Sequence, residues 1–184
     1  QVRAYRLDPQ PLVTLCFDDA HQDVYDTAFP ILRSHDIPAT YYFITQFLSP
    51  LWRTQLKDLE DHGWEIGSHG RTHRNLAELS DADLVEELRQ SKADLEAAGL
   101  EVAGLAYPFG SGYDDAAVLR QVKRHYSYAR SVRPGNNAPI IRQYALASEL
   151  VTNATRIDTM KGWVDAAVDR SQWLIILLHN VDDS

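Results

Sequence analysis

The chain has 184 residues, 45% hydrophobic and 24% charged, with a formal net charge of -8; this is the composition of one ordinary globular domain, read as spanning residues 1–184. A pI near 5.3 argues against nucleic acid and anionic membrane as main partners, and leaves neutral or amino-sugar ligands open. No apolar run reaches the length of a membrane span, the opening residues do not form a signal peptide (a cleaved one would leave no trace), and a single cysteine, Cys16, permits no internal disulfide.

Short apolar runs alternate with segments of helical period. Residues 11–17 form a buried strand that holds Cys16, a small buried residue. A helix follows over about 22–35, a strand over 39–44 and a helix over about 49–62. A short strand spans 64–67. Ser80 caps a helix that Gly99 ends. Then come a strand at 102–106, a helix at 114–124, a strand at 126–129 and a weaker strand within 139–146. The chain closes with a helix over 155–170 and a strongly apolar strand over 173–178. Alternation of this kind predicts an α/β fold with mostly parallel strands, either a barrel or a doubly wound sheet. In both, ligands gather at the carboxyl ends of the strands.

The polar residues fall at those ends. Asp18 and Asp19 follow the first strand; if one binds a cation, the other remains free as a base. Their bland alternative is an acidic cap on the next helix. His69 and His73 follow the third strand, four apart, a spacing that lets both rings share one metal from a helical turn. The glutamate of the HExxH metalloprotease motif is missing, so the base must come from elsewhere, and Asp18 or Asp19 supplies it. One carboxylate and two imidazoles leave open coordination positions, as in catalytic rather than structural zinc sites. His179 directly follows the last strand, where it can protonate a leaving group. His35, His62 and His125 fall in or beside helices and are surface or cap residues.

Phe17-Asp18-Asp19, Ser68-His69-Gly70-Arg71-Thr72-His73, Tyr107-Pro108-Phe109-Gly110 and Leu177-Leu178-His179 occur in this order. Together they resemble the motifs of the polysaccharide deacetylases, the NodB-homology domain of carbohydrate esterase family four, over about residues 11–181. The resemblance implies a distorted (β/α)7 barrel with an Asp-His-His metal site, often zinc, with cobalt or nickel as other occupants. By motif, Asp18 matches the base, Asp19, His69 and His73 the ligands, and His179 the general acid. Phe109 matches the position whose backbone N–H stabilises the oxyanion, and Leu177 a wall of the acetyl pocket. Tyr107 is expected at the substrate.

Three positions depart from the family. Ala106 stands where an arginine often orients the base, so that role is expected of Arg133 first and Arg142 second. The Asp-Trp motif is not apparent, so Trp163 is the candidate for the acetyl pocket, and no carboxylate partner of His179 is identifiable. Ala20 replaces a frequent glycine, which brings His21 close enough to touch substrate. The expected activity is hydrolysis of N-acetyl groups on a chitin, peptidoglycan or poly-N-acetylglucosamine chain. O-deacetylation of xylan, cleavage of another non-peptide C–N bond and a spent carbohydrate-binding domain are the alternatives. The resemblance also implies a secreted or cell-envelope location. Oligomeric state is not legible.

Overall fold

A computed structural model describes residues 11–138 and 141–181. Among them are seven strands: β1 (Leu12–Asp19), β2 (Thr40–Phe43), β3 (Glu65–Ser68), β4 (Gly104–Ala106), β5 (Tyr128–Arg130), β6 (Glu149–Leu150) and β7 (Trp173–Leu178). The helices are α1 (Phe29–Ser34), α2 (Pro50–Asp61), α3 (Asp81–Ala97), α4 (Ala116–His125) and α5 (Ile157–Asp169). Strand order is β5-β4-β3-β2-β1-β7-β6, and every pairing is parallel.

The two edges nearly meet. Between them the chain bonds first to β5, where the Ala129 N–H donates to the Gln143 carbonyl and the Ser131 N–H to the Leu146 carbonyl. It then joins β7 through β6, and the Val151 N–H donates to the Leu177 carbonyl. The result is the distorted seven-stranded barrel, not an open doubly wound sheet.

Helix starts follow local chemistry. Ser49, Ser80 and Asp115 accept N–H groups of the first turns of α2, α3 and α4. Gly99, at φ 84°, turns the chain out of α3. His35 and His62 cap the C-terminal ends of α1 and α2, and His125 is the last residue of α4.

Two elements differ from the sequence expectation. The first helix begins as a π turn over Val24–Ala28, in which the Phe29 N–H donates to the Val24 carbonyl. Pro30 has no N–H to continue the ordinary ladder, which accounts for the shift of register. The strand expected within 139–146 lies instead at Glu149–Leu150. Pro139 and Ile140 are outside the described residues, and 141–146 form no strand, meeting β5 through the Ala129–Gln143 hydrogen bond and the bridge of Leu146 to Arg130.

Side chains sort to two sides of the barrel wall. Phe17, Tyr41, Phe43, Ile66, Leu105 and Ala129 face outward into the main core under the helices. Cys16, Tyr42, Ala106, Leu146, Ile175 and Leu177 fill the interior. Small residues on β3 and β4 make room for large ones on their neighbours. A Cβ on Gly67 would lie 2.5 Å from the Tyr42 ring, and one on Gly104 2.3 Å from that of Tyr128. Cys16 is buried, and burial pushes its thiol up to about 12, so it is an inert packing residue.

Candidate active site

The carboxyl ends of β1, β3, β4, β5 and β7 meet at one mouth of the barrel. Asp18 points inward from β1 and is 2% exposed. Arg130, at the end of β5 and fully buried, donates from Nη2 to both Asp18 oxygens, at 2.6 Å to Oδ1. Burial alone would lower the guanidinium's pKa; the Asp18 carboxylate outweighs it, and the net shift is upward. The Tyr42 ring lies 5.2 Å from the guanidinium carbon.

Arg130 replaces Arg133 and Arg142, the arginines expected from the sequence. Arg142 is exposed, Arg133 binds the Ser131 hydroxyl through its backbone N–H, and among the described residues neither reaches Asp18. Arg130 pairs in register with Ala106 on β4. Register partners on parallel strands point to the same face, and the methyl group of Ala106 leaves room for the long side chain of Arg130 beside it. The arginine missing from one strand thus stands on the next. Arg130 follows the expected strand 126–129 just as Asp18 follows the first strand, and that placement was its sequence signal.

In a regular strand Asp18 and Asp19 would point to opposite faces. Asp19 has φ 73°, and this left-handed residue breaks the alternation at a cost of about 1–2 kcal/mol. Its Oδ1 lies 3.5 Å from Nε2 of both His69 and His73 and has no hydrogen-bond partner, although it is buried. His69 is buried, and its Nδ1 is 2.9 Å from the Ala106 carbonyl. A carbonyl only accepts, so Nδ1 carries the proton and Nε2 presents its lone pair to Asp19. Burial lowers the His69 pKa, partly opposed by Asp18, and favours the neutral ring that a metal ligand requires.

The two histidines do not sit on a helical turn. Residues 69–73 form a loop with left-handed backbone at Gly70 and His73. The ligand atoms of Asp19, His69 and His73 all lie within 4.8 Å of one another. An orphaned carboxylate oxygen, a tautomer fixed from behind and an N,N,O donor set fit a divalent ion of the zinc type.

The remaining candidates divide. The register that pairs Phe17 with Leu178 brings Asp18 and His179 to one level at the mouth. His179 borders a cleft of about 630 Å³ lined by Leu150 to Ala154 and Leu178 to Asn180. Among the described residues no carboxylate bonds its ring, but Asp23 accepts the Val181 N–H at 2.6 Å and fastens that exit to the one after β1. Phe109 is left-handed, 65% exposed, and its ring lies 4.5 Å from that of His73. His21 Nε2 is 3.5 Å from Asp19 Oδ2. Leu177 is buried inside the barrel, two residues before His179.

Tyr107 and Trp163 are not at the mouth. Tyr107 belongs to the outer core, and its hydroxyl donates to the Tyr144 carbonyl. Trp163, on α5, packs on the outer side of β7 with Ala167, Leu174 and Ile176. Both therefore have packing roles. The other large cavity, about 660 Å³ between Val13, Pro38, Tyr128 and Trp173, includes none of the mouth residues.

The family model described as polysaccharide deacetylase matches residues 6–129. The poly-beta-1,6-N-acetyl-D-glucosamine N-deacetylase of Staphylococcus aureus is 27% identical over 151 residues, covering 70% of this chain and 52% of that protein. The chain thus spans about half the length of the curated relatives it matches. A Streptococcus pyogenes deacetylase solved in complex with acetate is similar at a TM-score of 0.74 and 23% identity, covering 82% of this chain and 69% of that one. A family 4 acetyl xylan esterase from Clostridium thermocellum, in complex with a cobalt ion, is similar at 0.66 and 18%, covering 94% and 76%. At these identities the solved structures establish a shared fold.

Proposed function

The chain belongs to the polysaccharide deacetylase family, and from that premise we propose that it is a single metal-dependent hydrolase domain that removes N-acetyl groups from an N-acetylglucosamine-containing polysaccharide and releases acetate. The observation that carries this reading is one barrel mouth holding an arginine-clamped carboxylate and, beside it, a carboxylate with two imidazoles. The named substrate of the Staphylococcus aureus relative supports an N-acetylated polymer.

Asp19, His69 and His73 hold the ion, zinc in the first instance and cobalt or nickel as substitutes. When bound, it supplies an acidified water and polarises the acyl carbonyl. Asp18 accepts the proton of the attacking water, and Arg130 keeps that carboxylate oriented. The Phe109 N–H donates to the oxygen that gains charge as water adds to the carbonyl. His179 gives a proton to the departing amine as the C–N bond breaks, leaving acetate and a free amino sugar. Leu177 closes the base of the acetyl pocket, and His21 lies at its rim. Such a polymer places the enzyme outside the cell or in its envelope, and among the described residues no helix is long and apolar enough to cross a membrane.

The same groups would cleave an O-acetyl ester on xylan, the substrate class named for the Clostridium thermocellum esterase. Acetate release decides between the readings. Purified protein supplied with zinc or cobalt is offered chitin oligomers, peptidoglycan, poly-N-acetylglucosamine and acetylxylan. The expected result is release from an N-acetylated chain that a chelator abolishes. Release from acetylxylan alone would move the assignment to an esterase. No release from any of them would leave a carbohydrate-binding domain.

A further inference from the structure

The two histidines at the mouth are not held alike. His69 is buried and fixed through Nδ1 by the Ala106 carbonyl. His73 is left-handed, and among the described residues no hydrogen bond to its ring is seen; it meets Asp19 and the rings of His69 and Phe109. Its position is inherited from the residue before it. Thr72 donates its backbone N–H to Glu87 Oε1 at 2.7 Å and its hydroxyl to Oε2 at 2.8 Å. Glu87 projects from α3 and is 4% exposed. A Cβ on Gly70 would come within 2.9 Å of Oε1, so the loop closes onto this carboxylate at a second point. On the far side, the Thr45 N–H holds the Gly70 carbonyl and the Gln46 N–H the Arg71 carbonyl. The loop is pinned between β2's exit and α3.

A buried carboxylate is costly unless its bonds are made. Among the described residues Glu87 has no cationic partner, and both oxygens are spent on Thr72. Such an arrangement is disadvantageous for packing alone, and its geometric effect is to fix the backbone that carries His73.

We propose that Glu87 is a positioning residue of the metal site: by gripping Thr72 at two atoms it sets the distance between the His69 and His73 rings, and with it the affinity for the ion. The inference rests on the metal-site reading above. Outer partners of metal ligands are worth about 10–100-fold in affinity, although here the grip acts through the backbone.

The test is a competition titration of Zn2+ and Co2+ against a chromophoric chelator, at a temperature where every variant is folded. Glu87→Ala should bind about 10–100-fold more weakly than wild type. Glu87→Gln keeps both contacts, since its amide oxygen accepts the Thr72 N–H and its amide nitrogen donates to the hydroxyl oxygen; it should restore most of the affinity. Thr72→Val keeps only the N–H contact and should lose about 10-fold; it decides the matter if Glu87→Ala does not fold. Leu88→Ala opens a cavity one residue along α3 and should lower thermal stability without changing affinity. Wild-type affinity in Glu87→Ala, or in Thr72→Val, overturns the inference alone. So does an equal loss in Leu88→Ala or in Glu87→Gln. Failure of wild type to bind either ion overturns the metal-site reading and this inference together.

Discussion

Asp18 is buried with both oxygens held by Arg130, while Asp19, the next residue, is partly exposed and keeps a buried oxygen with no partner. The two carboxylates belong to differently built regions. The Asp18 side lies inside the barrel and is made of strand ends, where an ion pair between β1 and β5 satisfies both Asp18 oxygens through Arg130 Nη2, while Nε and Nη1 of that arginine are buried without a partner. The Asp19 side is made of loop backbone with left-handed residues at positions 19, 70 and 73, and its polar atoms converge without satisfying one another. A carboxylate bonded at both oxygens is held in one orientation. An incomplete set has a place for a cation. Neighbouring residues of one type therefore serve two purposes, because one backbone angle sends them to different surroundings.

The largest effect expected from this contrast is on turnover. Asp18→Asn should lower kcat by about 10²–10⁴-fold while zinc still binds one per chain. Asp19→Ala or His73→Ala should lose the ion and the activity together. If Asp18→Asn also loses the ion, the division between the two regions fails.

The next is on stability. Arg130→Ala leaves a buried carboxylate unpaired and should cost about 3–5 kcal/mol in urea unfolding. The double change Asp18→Leu with Arg130→Met should recover most of that loss and none of the activity, since apolar pairs replace buried ion pairs with little penalty. A small loss in Arg130→Ala would mean that water reaches the pair and that the interior is not closed.

The smallest is a pH effect on the ligand side. His69 has a folded-state pKa below the ordinary value of about 6.5. Between those two values the unfolded chain binds the extra proton and the folded chain does not. Stability of the metal-free protein should therefore fall as pH drops below about 6.5, by at most about 1.4 kcal/mol per unit for one proton, and the decline should stop once pH passes the folded value. Denaturation curves from pH 7.5 to 5 measure the slope, and His69→Gln should flatten it. An unchanged slope in that variant would assign the effect to other groups.

Much of the comparison is legible in the sequence. Apolar runs with polar or turn residues just beyond them locate four strand exits; the spacing of His69 and His73 suggests a shared metal, and the family resemblance adds Asp19 to them. The errors have physical causes. Tyr107 and Trp163 carry the side chains expected of a sugar site, yet which side of the wall a residue faces depends on how the sheet curls, and both lie on the outer side. In the sequence Arg133 sits in a polar loop segment free to reach inward, whereas Arg130 ends an apolar strand and reads as an edge residue. Only the register of β5 against β4 shows that Arg130 stands beside Ala106.

The sequence by itself determined the alternation of strands and helices, the cap at Ser80, and the order of the chemical motifs. These depend on interactions within a few residues, so the local pattern carries them. The tertiary structure alone decided which arginine meets Asp18 across 112 residues of chain. It alone decided that Asp19 turns left-handed to join His69 and His73, and that Glu87 grips the loop between them. Those facts come from barrel closure, which brings distant strand ends within hydrogen-bond range and makes a strained backbone angle worth keeping.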